Sequence, residues 1–215
     1  MITLHYMKLC VFGADGRTGV EVVNYAHSQG FEVVAFVYRD TTKISFPNGV
    51  SIKKGNVMDY DSVEDAIKGS DAVISVLGHI KGSDPLMQTR GISNIVHAMK
   101  DLGIKRVLSL TGTGARVEGD TPSVIDRFLN VLVKAIDPNR ISDGLMHVKI
   151  LKESGLDFTV VRVLKLSSRN KKYKNYTLTD GGPAELQTSR KKAARVLVDL
   201  INDRQYITKQ PIISG

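Results

Sequence analysis

The chain has 215 residues, of which 42% are hydrophobic, and a formal net charge of +8. A chain of this length buries a large core without disulfides. Its one cysteine, Cys10, cannot form a disulfide within the chain, which favours a reducing compartment. No stretch approaches the roughly 18 apolar residues of a membrane span and the N-terminus lacks the pattern of a signal peptide, so we expect a cytoplasmic protein with no membrane partner.

Short apolar runs rich in Val and Ile alternate with segments of helical periodicity, as expected for a parallel sheet that is buried on both faces. The predicted strands are 8–12, 31–38, 51–54, 72–77, 106–110, 158–164 and 211–214. The predicted helices are 16–28, 62–68, 87–102, 123–136, 142–154 and 189–202. No repeat or linker interrupts this order, so we predict one α/β domain over 1–215, with a Rossmann-type doubly wound parallel sheet.

Three glycines follow the first predicted strand and open the first predicted helix, in the pattern Gly13-x-x-Gly16-x-x-Gly19. Gly13 permits a sharp turn, Gly16 lets the backbone approach a pyrophosphate, and Gly19 lets the helix pack closely on the sheet. Exposed amides and the helix dipole then favour an anion. The segment predicts a dinucleotide site that includes Asp15, Arg17 and Thr18 between the glycines.

The end of the second predicted strand bears on which dinucleotide is bound. An acidic residue there would bind a ribose 2′-hydroxyl, whereas an arginine would pair with the 2′-phosphate of NADP. Arg39 comes first, and Arg17 is close enough in the turn to reach the same phosphate, so we expect NADP(H) to be preferred over NAD(H). Two alternatives stay open: Asp40 is the contact if the strand extends by one residue, or Arg39 is only a solvated strand end.

With these segments placed, the chain resembles the atypical short-chain dehydrogenase/reductases, in the NAD(P)H-binding branch with biliverdin-IXβ/flavin reductases and NmrA-like proteins. The resemblance runs nearly end to end. Five segments carry it: "GADGRTG", "KKGNVMDYDSVEDAIKGSDAVISVLG", "RVLSLTGTGAR", "LKESGLDFTVVRV" and "TSRKKAARVLVDLI".

The resemblance implies roles for further residues. Asn56 and Val57 would flank the adenine ring, with Asn56 standing where relatives usually have Asp. Leu77 and Gly78 would lie beside the nicotinamide ribose. Thr111 would be the Ser or Thr that the superfamily keeps near the nicotinamide, and we predict a catalytic role for it.

The superfamily's usual acid, the tyrosine of a Tyr-x-x-x-Lys motif, is missing: none of the seven tyrosines is followed by lysine four residues later. Where the resemblance places the motif, the chain has Leu145-x-x-x-Lys149. We predict that Lys149 still contacts the cofactor ribose and belongs to the catalytic group, with an ordinary surface lysine as the alternative. His147 on the same helix is interpreted as a packing residue or, alternatively, as a proton donor.

Reduction of a simple ketone needs a positioned proton donor, but a conjugated acceptor spreads the incoming charge and takes its proton from water. We therefore expect an NADP(H)-dependent oxidoreductase that transfers hydride to a flavin, quinone or tetrapyrrole. A non-catalytic NADP(H)-binding redox sensor of NmrA-like type is the main alternative, and a sugar-nucleotide epimerase-like enzyme is the third.

The expected partner is thus a small molecule. Cations in the stretches near the predicted helix 123–136 would suit an anionic one. Basic residues cluster only in 167–175, interpreted as a solvated loop, with a lid over an anionic ligand or a nucleic-acid contact as alternatives. Without tryptophan or interleaved aromatic and basic residues we expect no nucleic-acid partner. The dispersed histidines predict no metal site.

The predicted helix 123–136 carries its apolar residues on one broad face. We expect this face to pack in the core; a wall of the substrate crevice or a dimer surface are the alternatives, so the protein is predicted to be a monomer or a homodimer. The residues of the face are Val124, Ile125, Phe128, Leu129, Leu132 and Ile136.

Overall fold

The computed structural model describes residues 6–38, 44–80, 82–169 and 175–214, and strands and helices alternate along them. The strands are β1 (Lys8–Phe12), β2 (Glu32–Val37), β3 (Ser51–Lys54), β4 (Ala72–Ser75), β5 (Arg106–Gly112), β6 (Asp157–Val163), β7 (Leu166–Ser167), β8 (Leu178–Thr179), β9 (Thr188–Ser189) and β10 (Ile212–Ile213). The helices are α1 (Arg17–Ser28), α2 (Tyr60–Ile67), α3 (Met87–Asp101), α4 (Val124–Ile136), α5 (Pro138–Glu153) and α6 (Arg190–Asp199), followed by a 3₁₀ turn at Arg204–Tyr206.

Among the described residues the main sheet has eight strands in the order β3-β2-β1-β4-β5-β6-β10-β8. The strands from β3 to β10 pair in parallel, and β8 pairs antiparallel to β10 at the edge. The chain winds outward from β1 in both directions, which confirms the predicted doubly wound parallel sheet. Its crevice lies where the chain leaves the carboxyl ends of β1 and β4.

Both faces of the sheet are covered at its centre, which explains why β1, β2 and β4 are largely apolar on both sides. In β1, Leu9 and Val11 point toward α1 and α6, whereas Cys10 and Phe12 point toward α2, α3 and α5. Cys10 is completely buried, and burial raises the pKa of its thiol, so it is an inert core residue.

Apart from shifts of a few residues at the ends of elements, the structure differs from the prediction at three places. Helix α5 begins at Pro138, not at 142, because Asp137 caps it by accepting from the Arg140 amide and proline suits the first helical position. The two-residue strands β7, β8 and β9 were not predicted, since so short a segment has no periodicity. Five of the six residues predicted for the apolar face of α4 are exposed and the sixth, Leu129, is half-buried, so the expected packing of this face in the core is wrong. Within the described ranges, no helix combines the length and apolar character that crossing a bilayer would need.

Candidate functional site

The glycine-rich turn after β1 leaves no room for side chains. Gly13 has φ 75°, and a Cβ there would lie 3.0 Å from the Val76 carbonyl oxygen. A Cβ at Gly19 would lie 2.0 Å from the Gly13 carbonyl oxygen, which is shorter than any allowed contact. The turn therefore requires glycine at both positions: one for backbone conformation, the other for the approach of α1 to the turn.

The N-terminus of α1 differs from those of α4, α5 and α6. Those three helices are capped by the side chains of Ser123, Asp137 and Ser189. The N-cap of α1 is Gly16, which has no side chain, and the first turn of α1 carries no acidic residue. Because the first amides of an α-helix lack intrahelical acceptors, this end is suited to an external anion.

A groove of about 520 Å³ opens at this point, within the usual range of ligand sites. Seven of the predicted cofactor-binding residues line it: Gly13, Asp15, Gly16, Asn56, Val57, Leu77 and Gly78. Thr18 and Gly19 are buried behind it in α1, and Arg17 is exposed at the start of that helix. Arg39 lies outside the described residues.

Strand register explains why distant segments meet in this groove. Phe12 at the end of β1 pairs with Phe36 of β2 and with Ser75 of β4, so the segments that follow all three strands leave the sheet at one level. The loop after β3 is held in place from behind: Asn94 donates from Nδ2 to the Val57 carbonyl oxygen at 2.9 Å. The carboxyl edge of the sheet thus forms one continuous wall.

Other residues line the groove that the sequence did not predict. Phe36 and Tyr38 come from the end of β2, and Met58 from the loop after β3. Val76 directly follows β4, and the rest belong to the segment before α3 and at its start: Ile80, Gly82, Ser83, Asp84 and Met87. Aromatic and apolar side chains at the β2 and β3 end provide flat surfaces suited to a planar ring.

A cationic region lies beside the turn. Helices α1 and α6 run side by side, and near their C-terminal ends Tyr25 Oη donates to Asp199 Oδ1 at 3.0 Å. At the opposite ends, burial and the charge of Arg17 lower the pKa of Arg190, which donates from Nη1 to Ser168 Oγ at 2.8 Å. The N-termini of both helices therefore bring an arginine to the same edge of the sheet.

Thr111 lies beyond the other end of the groove. Ser109 of β5 pairs with Ser75, the last residue of β4, whereas Thr111 lies two residues further along β5 and still pairs with Arg162 of β6. It is largely buried and does not line the groove. A Cβ on Gly144 of α5 would lie 3.2 Å from Thr111 Oγ1, so the residue of α5 at this position presents no side chain to the hydroxyl.

The structure does not bring Lys149 to the groove. Its side chain is 63% exposed, and its Nζ lies 3.9 Å from Glu153 Oε1 on the same helix. The buried side of α5 is formed by Asp143, Gly144, His147, Val148 and Leu151. Gly144, not Leu145, is therefore the position that faces Thr111, and a cofactor contact for Lys149 stays a prediction without support from this geometry.

His147 is buried against the sheet, with its Nε2 2.8 Å from Ser109 Oγ. Burial lowers its pKa from the ordinary 6.5 to about 4, against an opposing effect of the Asp143 charge. The imidazole is therefore neutral at physiological pH and serves as a packing and hydrogen-bonding group.

This shift predicts a pH dependence of stability. Between pH 6.5 and 4 the unfolded chain binds a proton at His147, whereas the folded chain does not. The free energy of unfolding therefore falls as the pH falls, by about 3 kcal/mol between pH 6.5 and pH 4. In urea unfolding at a series of pH values, His147→Gln should lose this part of the slope. His97→Gln, at an exposed position of α3, should keep the wild-type slope; equal slopes for all three proteins would contradict the prediction.

A sequence model of the family described as NAD(P)H-binding matches residues 13–204, which is most of the chain and includes the turn and the groove. The chain belongs to this NAD(P)H-binding family. Its relatives include the bifunctional pinoresinol-lariciresinol reductase 2 of Linum usitatissimum, 28% identical over 171 residues that cover 73% of this chain and 47% of the relative. The chain spans about half the length of the curated relatives it matches.

Solved structures share the fold of this NAD(P)H-binding chain. A short-chain dehydrogenase/reductase from Veillonella parvula, in complex with NADP, superimposes with a TM-score of 0.81 at 17% identity, covering 98% of this chain and 95% of that one. ChuY, an anaerobillin reductase from Escherichia coli O157:H7, gives a TM-score of 0.79 at 18% identity, covering 97% of each chain. The predicted NAD(P)H-binding family is thereby confirmed, and the likeness to the short-chain dehydrogenase/reductase structure is one of fold.

Proposed function

We propose that this protein is an NADP(H)-dependent reductase that transfers a hydride to a planar conjugated acceptor such as a flavin, a quinone or a linear tetrapyrrole. The observation that carries the proposal is a nucleotide-sized groove at the glycine-rich turn, together with a glycine, Gly144, at the position of α5 that meets the Thr111 hydroxyl. The first feature supports the cofactor, and the second supports the class of acceptor.

The residues present fit a nicotinamide dinucleotide. The pyrophosphate binds at the N-terminus of α1, over Gly13, Gly16 and the first amides of the helix. The adenine is bound at the end of the groove formed by Tyr38, Asn56 and Val57 and the neighbouring Phe36. The nicotinamide ribose lies by Leu77 and Gly78, which directs the reactive ring toward Thr111.

The chemistry at Thr111 argues for a conjugated acceptor. A bound reduced nicotinamide supplies a hydride. A ketone that accepts it also needs a proton donor at the developing alkoxide, which contributes about 10²- to 10⁴-fold. Thr111 provides one neutral hydroxyl, and Gly144 provides no side chain where that hydroxyl meets α5. A conjugated acceptor disperses the charge and takes its proton from water, so the protein's role is to position the two rings and exclude competing geometries.

The reaction is tested by following NADPH absorbance with purified protein and a panel of acceptors: free flavins, quinones, linear tetrapyrroles, and simple ketones and aldehydes as the comparison set. We expect turnover with at least one conjugated acceptor and none with the comparison set. NADPH binding, measured by fluorescence, is recorded in parallel. Tight binding without turnover would instead support a nucleotide-binding sensor, and no binding would contradict the proposal.

The preference for NADP(H) is tested separately at Arg39 and Arg17. Loss of a charge-assisted contact to the 2′-phosphate costs about 1.5 to 3 kcal/mol, so Arg39→Gln and Arg17→Gln should each weaken NADPH binding by roughly 10- to 100-fold. NADH lacks this phosphate, so its binding should change little. Arg204→Gln, at an exposed position in the 3₁₀ turn, is the charge-matched control. Equal losses for both cofactors would refute the phosphate contact.

A further inference from the structure

Helix α4 presents an apolar surface to solvent. Six of its large apolar side chains are exposed, and they lie on one side of the helix: Val124 (82%), Ile125 (54%), Phe128 (67%), Val131 (68%), Leu132 (45%) and Ile136 (76%). We call this surface the α4 face. Leu145 and Met146 of α5 are also exposed, by 43% and 44%. Contiguous apolar patches of more than a few hundred Å² are rare on monomeric proteins and mark interaction sites.

The opposite side of α4 attaches the helix to the protein through polar groups. Asp126 is completely buried, and its Oδ1 accepts from Thr113 Oγ1 at 3.0 Å and from Arg116 Nη2 at 2.9 Å. Asn130, one turn later, donates from Nδ2 to the Asp126 carbonyl oxygen at 2.9 Å. An ordinary surface helix buries its apolar side and exposes its polar side. In α4 this arrangement is reversed, so the apolar side is not available to the protein's own core.

The composition of the α4 face is that of the centre of a protein interface. It contains no charged side chain, and Phe128 lies near its middle. Charged residues are depleted and aromatic residues enriched at such centres. Of the cations on α4, Arg127 and Lys134 lie beside the face, not within it. A helix that binds membrane surfaces carries many Lys and Arg along its polar side, whereas α4 uses that side for Asp126 and Asn130.

We propose that the α4 face binds the same face of a second copy of this chain. A stable interface of standard size takes about 800 Å² from each partner, and the six exposed apolar side chains of the α4 face supply the apolar centre of such an area. Two copies related by a two-fold axis bring identical apolar faces together and need no other complementary surface. The helix, about 20 Å long, then packs antiparallel to its equivalent, and Leu145 and Met146 enlarge the buried area.

The proposal is tested by sedimentation of the full chain over a wide range of protein concentration. We expect a reversible dimer. Phe128→Glu combined with Leu132→Glu should weaken dimerisation by more than about 100-fold, because two central apolar side chains are replaced by charges. Both side chains are exposed in the single chain and glutamate favours helix, so the circular dichroism spectrum should be unchanged.

The control is Ile52→Glu on the edge strand β3, where an equally apolar side chain is 50% exposed outside the α4 face. This variant should dimerise like the wild type. A wild-type chain that sediments as a monomer at every concentration, or a double variant that stays dimeric, would overturn the proposal. The proposal would also be overturned if the wild type bound phosphatidylserine vesicles and the double substitution abolished this binding. None of these measurements requires NADPH, so the outcome is independent of the proposed reaction.

Discussion

Replacing Gly19 by alanine is expected to abolish NADPH binding. The added Cβ would lie 2.0 Å from the Gly13 carbonyl oxygen, and it would also meet the Ala14 Cα at 2.6 Å. Neither contact is relieved by rotating a side chain, so the first turn of α1 has to move away from the glycine-rich turn. The helix is fixed behind by the buried Val22 and Val23, so the movement is taken up where the pyrophosphate binds. We expect an affinity loss of more than about 100-fold, or about 3 kcal/mol.

The measurement is a fluorescence titration with NADPH, combined with thermal unfolding of the variant without cofactor. Gly112→Ala is the matched control, because a Cβ at that position has only ordinary contacts, the nearest at 3.9 Å. It should bind NADPH and unfold like the wild type. If Gly19→Ala folded and bound NADPH with unchanged affinity, the dinucleotide would not bind at the N-terminus of α1, and the proposed function would fail with it.

The fold and the glycine-rich turn were predictable because their determinants are local. A run such as 9–12, apolar at every position, indicates a strand covered on both faces. The requirement for glycine at positions 13 and 19 follows from backbone geometry within one turn. The order of such strands and helices then admits few topologies, because parallel crossovers are right-handed. None of these steps requires knowledge of which side chains from distant parts of the sequence contact each other.

The rotation of α5 could not be predicted, because it is fixed by a distant contact. The Asp143 carboxylate accepts from the amides of Gln88 at 2.9 Å and Thr89 at 2.8 Å, and so caps the start of α3. This contact turns Gly144 toward Thr111 and Lys149 toward solvent. In the sequence, Leu145-x-x-x-Lys149 and Gly144-x-x-x-Val148 are equally compatible with a helix, and only the resemblance favoured the first. The groove is also lined by residues that belong to no motif in the sequence: Ile80, Gly82, Ser83, Asp84 and Met87.

The exposure of α4 was missed although the sequence carries a signal for it. A stripe of apolar residues has the same period whether it faces a core or a partner, which is why core packing was expected. The polar residues hold the additional information: Asp126 and Asn130 are spaced one turn apart on the side that faces the protein. Such a pair, following a serine N-cap and opposite the apolar stripe, indicates a helix anchored through its polar side.

Removing the Asp120 carboxylate is expected to cause the largest loss of stability. Asp120 lies in the loop between β5 and α4, and both of its oxygens accept from Arg162 of β6, at 2.6 and 2.9 Å. The side chains of this pair are only 4% and 1% exposed. Asp120→Ala leaves the guanidinium buried without its counter-ion, and breaking a buried pair in this way costs about 3 to 5 kcal/mol. The measurement is urea unfolding at neutral pH.

A double substitution distinguishes the loss of stability caused by the unpaired charge from the loss caused by missing packing contacts. Arg162 also donates from Nε to the Gln210 carbonyl oxygen at 2.9 Å, so it joins the segment before β10 to the sheet. Asp120→Leu with Arg162→Met removes both charges and keeps most of the volume, and it should recover much of the stability that Asp120→Ala loses. Glu32→Ala, which breaks a half-exposed pair with Lys8, is the control and should cost less than about 1 kcal/mol. If Asp120→Ala cost no more than Glu32→Ala, the buried pair would not be what holds the β5–α4 loop on the sheet. Because that loop leads directly into α4, its loosening should also weaken association through the α4 face.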